Sequence, residues 1–317
     1  MCSPEKDIID DIVSVNINTA DHRTCQARRG QHPKHHGCVK ALFEVRADVP
    51  SHLRYGIFSS AQHFDGYIRF SNGSADDDRR RDAHGMAIKL LGVPGQRLVD
   101  PLGGAQEQDF ILVDSEVFFT GDLSEYRLFS AGFLRGRASL VYGVLFGIRM
   151  LLFHRPLLKR ARTFAGNRIF SPVETSYFSS VPFELGDRAV KYVAVPRFNG
   201  IRRSKLSSRD GLSQALAEQL SHGQIVFDFG VDVQNDANLQ PIEDATVKWS
   251  AQGADRVWLA QITIGQQSLE PQAHLAENIS FSPWRTLEAH RPLGAINRAR
   301  KPVYRVMAGL RHDLNSK

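Results

Sequence analysis

Seven stretches of the chain carry the apolar, β-branched and aromatic texture of strands, several with apolar and polar positions alternating. They are KALFEVR (40–46), GYIRFS (66–71), GMAIKLL (85–91), DFILVDSEVFF (109–119), VKYVAVP (190–196), QIVFDFGV (224–231) and VWLAQITI (257–264). The connections between them are too short to hold crossover helices throughout. That favours an antiparallel sheet or barrel over a doubly wound fold. Helical texture covers residues 122–165 and 207–222, where Leu212, Leu216 and Leu220 recur at helical spacing. It returns from Asn297 to Leu314, just after Arg-Pro-Leu-Gly. Residues 1–35 read as polar and irregular with short helical turns, and the charged run 72–82 (NGSADDDRRRD) as a solvated loop. The expected architecture is α+β: a β-rich core with helices added in the middle and at the end. An N-terminal extension over 1–20 precedes a single domain over 21–317.

Composition agrees with such a domain. The 317 residues are 42% hydrophobic, enough for one large core or at most two. The net charge of +6 leaves nucleic acid or an anionic surface open as partners. The arginines read as scattered, without a nucleic-acid motif, so nucleic-acid binding is not expected. The three cysteines, Cys2, Cys25 and Cys38, are odd in number and irregular in spacing, against a disulfide framework or a cysteine zinc site. With no apolar signal core at the N-terminus, a reducing, cytoplasmic setting is expected. Residues 139–153 (SLVYGVLFGIRMLLF) are strongly apolar and flanked by Arg135, Arg137, His154, Arg155, Lys159 and Arg160. The segment is short of the ~20 residues a membrane span needs. Three readings remain: a buried helix, a helix lying on a membrane surface, and one lining the entrance for an apolar substrate.

The C-terminal helix places Arg300, Tyr304 and Arg311 at offsets of four and eleven. At about 100° per residue these share one stripe, with Val303, Val306, Met307, Leu310 and Leu314 on the adjoining face. One reading is a basic amphipathic helix with an aromatic edge. The other is a tyrosinate metal ligand. A phenol ionises near pH 10, so a phenolate at neutral pH needs a metal, a neighbouring cation or both. Arg300 supplies a cation that pH does not remove. On the strand at 67–71, Arg69 and Ser71 share a face opposite Ile68 and Phe70. Were that face the inside of an apolar barrel, Arg69 would demand an anion; the alternative is an outward-facing arginine on an edge strand. His32, His35 and His36 have a spacing that could serve zinc on a helix. Pro33 and Gly37 oppose a helix there, and no His-Glu-x-x-His pattern is present.

Taken together, R-G-Q-H-P-K-H-H-G-C-V-K-A, Y-I-R-F-S-N-G, D-A-H-G-M-A-I-K-L-L-G, Q-D-F-I-L-V-D-S-E-V-F-F, S-F-S-P-W and R-K-P-V-Y-R resemble the haem catalase superfamily, in its short catalase-like branch. The resemblance runs from about Arg28 to the C-terminus. It implies a catalase-like antiparallel β-barrel with added helices and haem b between barrel and C-terminal helix. It implies His32 as the distal histidine, Ser71 beside it, and Arg29, Arg69 and Arg311 as contacts to the haem propionates. Tyr304 resembles the proximal iron ligand, Arg300 its charge partner, and Tyr126 an aromatic packed on the haem. His35 and His36 have no catalytic counterpart and read as structural.

Asp114 stands where the family has a distal asparagine. A carboxylate accepts hydrogen bonds and donates none unless protonated. That substitution tilts the expectation from hydrogen peroxide dismutation toward a haem peroxidase of organic or lipid hydroperoxides, with an organic electron donor and at most weak catalase activity. His32 and Asp114 are then the catalytic pair. Gln31, before the histidine, does not decide between catalase and allene oxide synthase-like isomerase. A non-catalytic haem carrier or sensor is the remaining alternative. A homodimer is the default assembly.

Overall fold

The structure, a computed structural model, describes residues 4–19, 32–98, 106–198 and 204–315. Within these residues nine strands form one antiparallel sheet: β1 (His35–Val45), β2 (His63–Asn72), β3 (His84–Leu90), β4 (Gln108–Val113), β5 (Tyr177–Phe178), β6 (Phe183–Leu185), β7 (Arg188–Pro196), β8 (Ile225–Val233) and β9 (Asp255–Ile264). Their order is β5-β4-β3-β2-β1-β9-β8-β7-β6, and β5 also pairs with β7. That last pairing closes eight of the strands into a barrel and leaves β6 as a flap on β7. Closure removes the edges that an open sheet would expose.

Aromatic side chains fill the interior. Phe43 of β1, Phe110 of β4, Tyr192 of β7 and Phe229 of β8 come from strands that are not all neighbours, yet their rings touch. Phe43 and Phe229 lie 5.1 Å apart between centroids, Phe110 and Phe229 5.0 Å, and Phe110 and Tyr192 4.8 Å. Phe58, fully buried in the 3-10 turn Gly56–Phe58, joins them. At one end of this core sits His290. Its Nε2 accepts the Ile57 N–H at 3.1 Å and its Nδ1 meets the Tyr192 hydroxyl at 3.0 Å. The acceptor role fixes the neutral tautomer with the proton on Nδ1. Burial holds its pKa down at about 3.

Among the described residues seven helices surround the barrel: α1 (Pro4–Thr19), α2 (Leu123–Ala138), α3 (Leu140–Phe153), α4 (Arg155–Phe164), α5 (Gly211–His222), α6 (Ala273–Asn278) and α7 (Gly294–Asn315). Asp122 caps α2 by accepting the Glu125 N–H, and Glu125 returns the bond to the Gly121 N–H. Three expectations need correction, and two short strands had no counterpart in the sequence reading. The first 35 residues hold a sixteen-residue helix, and Ile12 of α1 is buried in the main core. The strand expected over 109–119 ends at Val113, after which Ser115 Oγ bonds the Val117 carbonyl in a turn. β5 and β6 are two and three residues long, too short to show any period. The run 72–82 is solvated only in part: Arg79, Arg80 and Arg81 are exposed, but Asp78 and Asp82 are buried. Asp82 accepts the N–H groups of Ser74, Ala75 and Ala83. Asp78 accepts from Asn72 and from the Leu212 N–H at the start of α5, and pairs with Lys34 at 2.8 Å.

The buried imidazole of His290 gives stability a pH dependence. Between its folded value and the unfolded value near 6.5, the unfolded chain binds a proton that the folded chain does not. Stability is full above about pH 6.5 and falls as pH drops toward 3, by up to ~1.4 kcal/mol per pH unit for one such group. Urea midpoints measured from pH 7 to pH 5 should therefore decline, and the decline should be shallower in His290→Gln. An equal slope in both proteins would contradict the assignment.

Candidate functional site

The outer faces of β2, β3 and β4 form a platform, because the register puts alternate residues there. Ser71 pairs with Gly85 and Gly85 with Val113; the next row is Arg69, Ala87 and Ile111. Met86, Ile88, Phe110 and Leu112 point the other way and belong to the core. The sequence left open whether the Arg69 face was the inside of the barrel. It is the outside, on a strand flanked by β1 and β3 rather than at an edge. Arg69 is nevertheless only 2% exposed, because residues 32–34 and α6 lie over it.

His32 stands on this platform and is held at three atoms. Its N–H donates to the Gly73 carbonyl at 3.0 Å, its carbonyl accepts from Arg69 Nη2 at 3.1 Å, and its Nδ1 lies 3.0 Å from Ser71 Oγ. Its φ of 53° is left-handed, a conformation that costs energy and persists where surrounding bonds impose it. The ring lies against Gly85: a Cβ there would sit 2.8 Å from His32 Cε1 and 2.9 Å from Nδ1. Only glycine lets the imidazole come this close to the strand. Arg69 also donates from Nε to the Ala276 carbonyl at 3.0 Å, so these two bonds tie its guanidinium to the His32 turn and to α6.

Asp114 follows Val113 at the end of β4 and extends the ladder by donating its N–H to the His84 carbonyl. Its carboxylate accepts twice from the same residue, at 2.8 Å from the His84 N–H and 2.6 Å from His84 Nδ1. Both side chains are 2% exposed. His84 was missed in the sequence, as was Gly85; the glycine inside an otherwise apolar strand was the available signal. His36, one residue into β1, is buried, bonds Asn72 Oδ1 at 3.0 Å, and is pushed well below the usual histidine range, first by burial and then by the nearby His84. His35 pairs with Glu277 of α6 at 3.0 Å.

A second cluster lies on α7. Arg300 Nη2 donates to the Tyr304 hydroxyl at 3.2 Å, and the guanidinium carbon is 5.3 Å from the centre of the Tyr304 ring. Nη1 of Arg300 bonds Asn297 Oδ1 at 3.2 Å. Asn297 in turn ties the helix to the Pro182 carbonyl, and its own carbonyl receives the Trp284 indole N–H. Arg300 is largely buried while Tyr304 is partly open. Tyr126 of α2 sits in the main core with Phe118 edge-on at 5.8 Å. Arg29 lies outside the described residues, as does the side chain of Arg311.

The donors present suit a haem. A phenol oxygen with a fixed cation beside it is a fitting ligand for ferric iron. A histidine with one ring nitrogen tied to a hydroxyl has the fixed orientation that proton transfer needs. Small residues at Gly85 and Ala87, with half-buried Ile111 and Val113 beside them, let a flat apolar group approach the barrel wall.

Gly85→Ala should displace the His32 ring and abolish its Nδ1–Ser71 hydrogen bond, read in nitrogen-15 spectra of the imidazole. Gly147→Ala in α3, where an added Cβ meets nothing within 4 Å, should leave those signals in place. Unchanged His32 signals in Gly85→Ala would contradict the contact.

No family model and no curated protein matches this chain. Solved structures do. A fungal catalase is similar at a TM-score of 0.63 and 15% identity, over 92% of this chain and 59% of its own. Catalase A from Saccharomyces cerevisiae is similar at 0.61 and 16%, over 99% of this chain and 64% of its own. The chain thus spans roughly three fifths of the length of these structures. At such identity the likeness speaks for architecture and leaves chemistry to the site: the chain has a catalase-like α+β fold, a closed antiparallel barrel with seven helices.

Proposed function

We propose that this protein binds haem b and reduces organic or lipid hydroperoxides as a peroxidase, with at most weak catalase activity. The observation that carries the reading is the imidazole of His32, held at N–H, carbonyl and Nδ1 against a glycine that admits it. Backbone and side chain are both committed to one orientation, the preorganisation that a general acid–base needs and a surface histidine lacks.

Ferric haem, when bound, supplies the centre at which a hydroperoxide O–O bond is broken. Tyr304 would hold the iron through its phenol oxygen, and Arg300 stabilises negative charge on that oxygen from 3.2 Å. Arg29 and Arg311 are proposed contacts to the propionates, Tyr126 a packing contact, and Arg69 either a further propionate contact or, as its observed bonds favour, the group that positions His32. Ser71 Oγ orients the His32 ring from 3.0 Å. In the tautomer that donates from Nδ1 to that oxygen, Nε2 takes the proton from the hydroperoxide and returns it to the leaving oxygen. Asp114 accepts at both carboxylate oxygens from His84, so in this arrangement it donates nothing to a peroxide. That favours peroxidase turnover with an organic donor over dismutation.

His32→Ala should retain haem and lose peroxide reactivity by on the order of a hundredfold or more. Stopped-flow reaction at the parent rate would remove His32 from the mechanism. Tyr304→Phe should alter or abolish the haem absorption spectrum, and an unaltered spectrum would exclude Tyr304 as the residue that holds the iron. Reconstituted protein assayed with hydrogen peroxide, an alkyl hydroperoxide and a fatty acid hydroperoxide should favour the organic substrates and yield alcohols. An allene oxide product would instead identify an isomerase, and absence of reaction with all three a haem carrier.

A further inference from the structure

Residues 139–153 do not form a buried helix. Nine of the eleven exposed large hydrophobic side chains among the described residues lie on α3, with Leu140 at 84% and Phe153 at 75% exposure. They are a patch rather than a scatter: Leu140, Val144, Leu145, Ile148, Leu151 and Leu152 share one side of the helix. The other side is pinned to α2 by glycine contacts. Gly143 Cα would lie 3.1 Å from a Cβ on Gly136, and a Cβ on Gly132 would strike the Phe146 ring. The apolar side is therefore turned outward by a close-packed hairpin.

The basic residues are not scattered either. From 126 to 173 the chain has nine lysines and arginines and no aspartate or glutamate. The remaining sequence holds 31 basic and 34 acidic side chains, so this segment is the source of the whole positive excess. Arg127 and Arg160 are paired with Asp11 and Glu125. Arg155, Lys159 and Arg162 of α4 join Arg81 around a cleft of about 690 Å³, with Leu151 and Leu158 in its wall. Cations thus gather where the apolar side of α3 ends.

We propose that α3 and α4 seat this protein on the surface of an anionic phospholipid bilayer. α3 lies in the plane of the interface with Leu145 and Ile148 among the acyl chains, and Arg155, Lys159 and Arg162 meet the lipid phosphates. In-plane seating follows from length. Among the described residues no single helix is long and apolar enough to cross a membrane, and α4 turns away from α3 by 115°. Charge decides between a membrane and a second copy. Two copies joined through this face would oppose two segments with nine basic and no acidic residues each, whereas anionic headgroups complement each one. The proposal stands independently of the haem reading.

Flotation of the full chain with vesicles tests it. The parent should float with phosphatidylcholine–phosphatidylglycerol vesicles, less at high salt, and little with phosphatidylcholine alone. Leu145→Glu/Ile148→Glu should lose flotation with either vesicle. Arg155→Gln/Lys159→Gln/Arg162→Gln should bind the anionic vesicles at least about tenfold more weakly. Both variants can be checked for folding by the thermal midpoint. Failure of the parent to float with anionic vesicles overturns the proposal, as does flotation of either variant at the parent's level. Sedimentation without lipid supplies the alternative: a dimer that dissociates in Leu145→Glu/Ile148→Glu, from a parent that does not float, would make this face a contact between copies.

Discussion

Phe43, Phe58, Phe110, Tyr192 and Phe229 fill the space inside the closed sheet, and their rings leave the interior to packing. Side chains that carry chemistry must then stand on the outer wall, where strand alternation sends every second residue. Ser71, Gly85, Arg69 and Ala87 are there because Phe70, Met86, Ile68 and Ile88 are inside. A shift of one residue in β2 or β3 would turn the site inward. The filled core thus fixes the position of the site as well as stabilising the domain.

An outer wall bearing polar groups has to be covered without leaving charges unpaired, since removing one partner of a buried pair is far costlier than never having built it. Lys89 bonds Glu107 and Asp109, and Arg285 reaches Asp109 from the segment that follows α6. Asp109 also accepts the Ser282 N–H. Burial pushes its carboxyl up, against the pull of Lys89 and Arg285. Lys34, Asp78, Asn72 and His36 do the same on the other side of the His32 turn. These two networks are the seams by which residues 32–36 and 280–286 lie on the barrel. The second holds Asn72, next to the Gly73 carbonyl that receives the His32 N–H. Distant charge pairs therefore bear on the orientation of one imidazole.

The α2–α3 hairpin follows a different logic. It adds nothing to the barrel core through its outer side, and from Tyr126 onward its charge is of one sign. Such a surface keeps copies apart and is attracted to anions, while the barrel beneath it is close to neutral. The separation lets one molecule combine a packed interior, an outer wall that holds the His32 cluster and an outward apolar face bordered by cations.

The seven longer strands were legible because alternation over six or more residues is a local property, and the helix carrying Arg300 and Tyr304 because its stripe is set by helical geometry alone. Tyr304 beside Arg300 is a four-residue contact and survives into the structure for that reason. What the sequence could not decide was which side of a strand faces in. Arg69 and Ser71 share a face in any register, but only closure through β5 and β7, two and nine residues long, makes it the outside. Long-range pairing likewise chose His84 for Asp114 across thirty residues, brought Gly85 beneath His32, and buried Asp78 and Asp82 in a run that reads as solvated. The apolar segment 139–153 looked alike buried or exposed, since hydrophobicity sets the reward for burial without saying what is there to cover it. Local periodicity belongs to the chain; inside, outside and partner belong to the fold, because they depend on contacts between residues far apart in sequence.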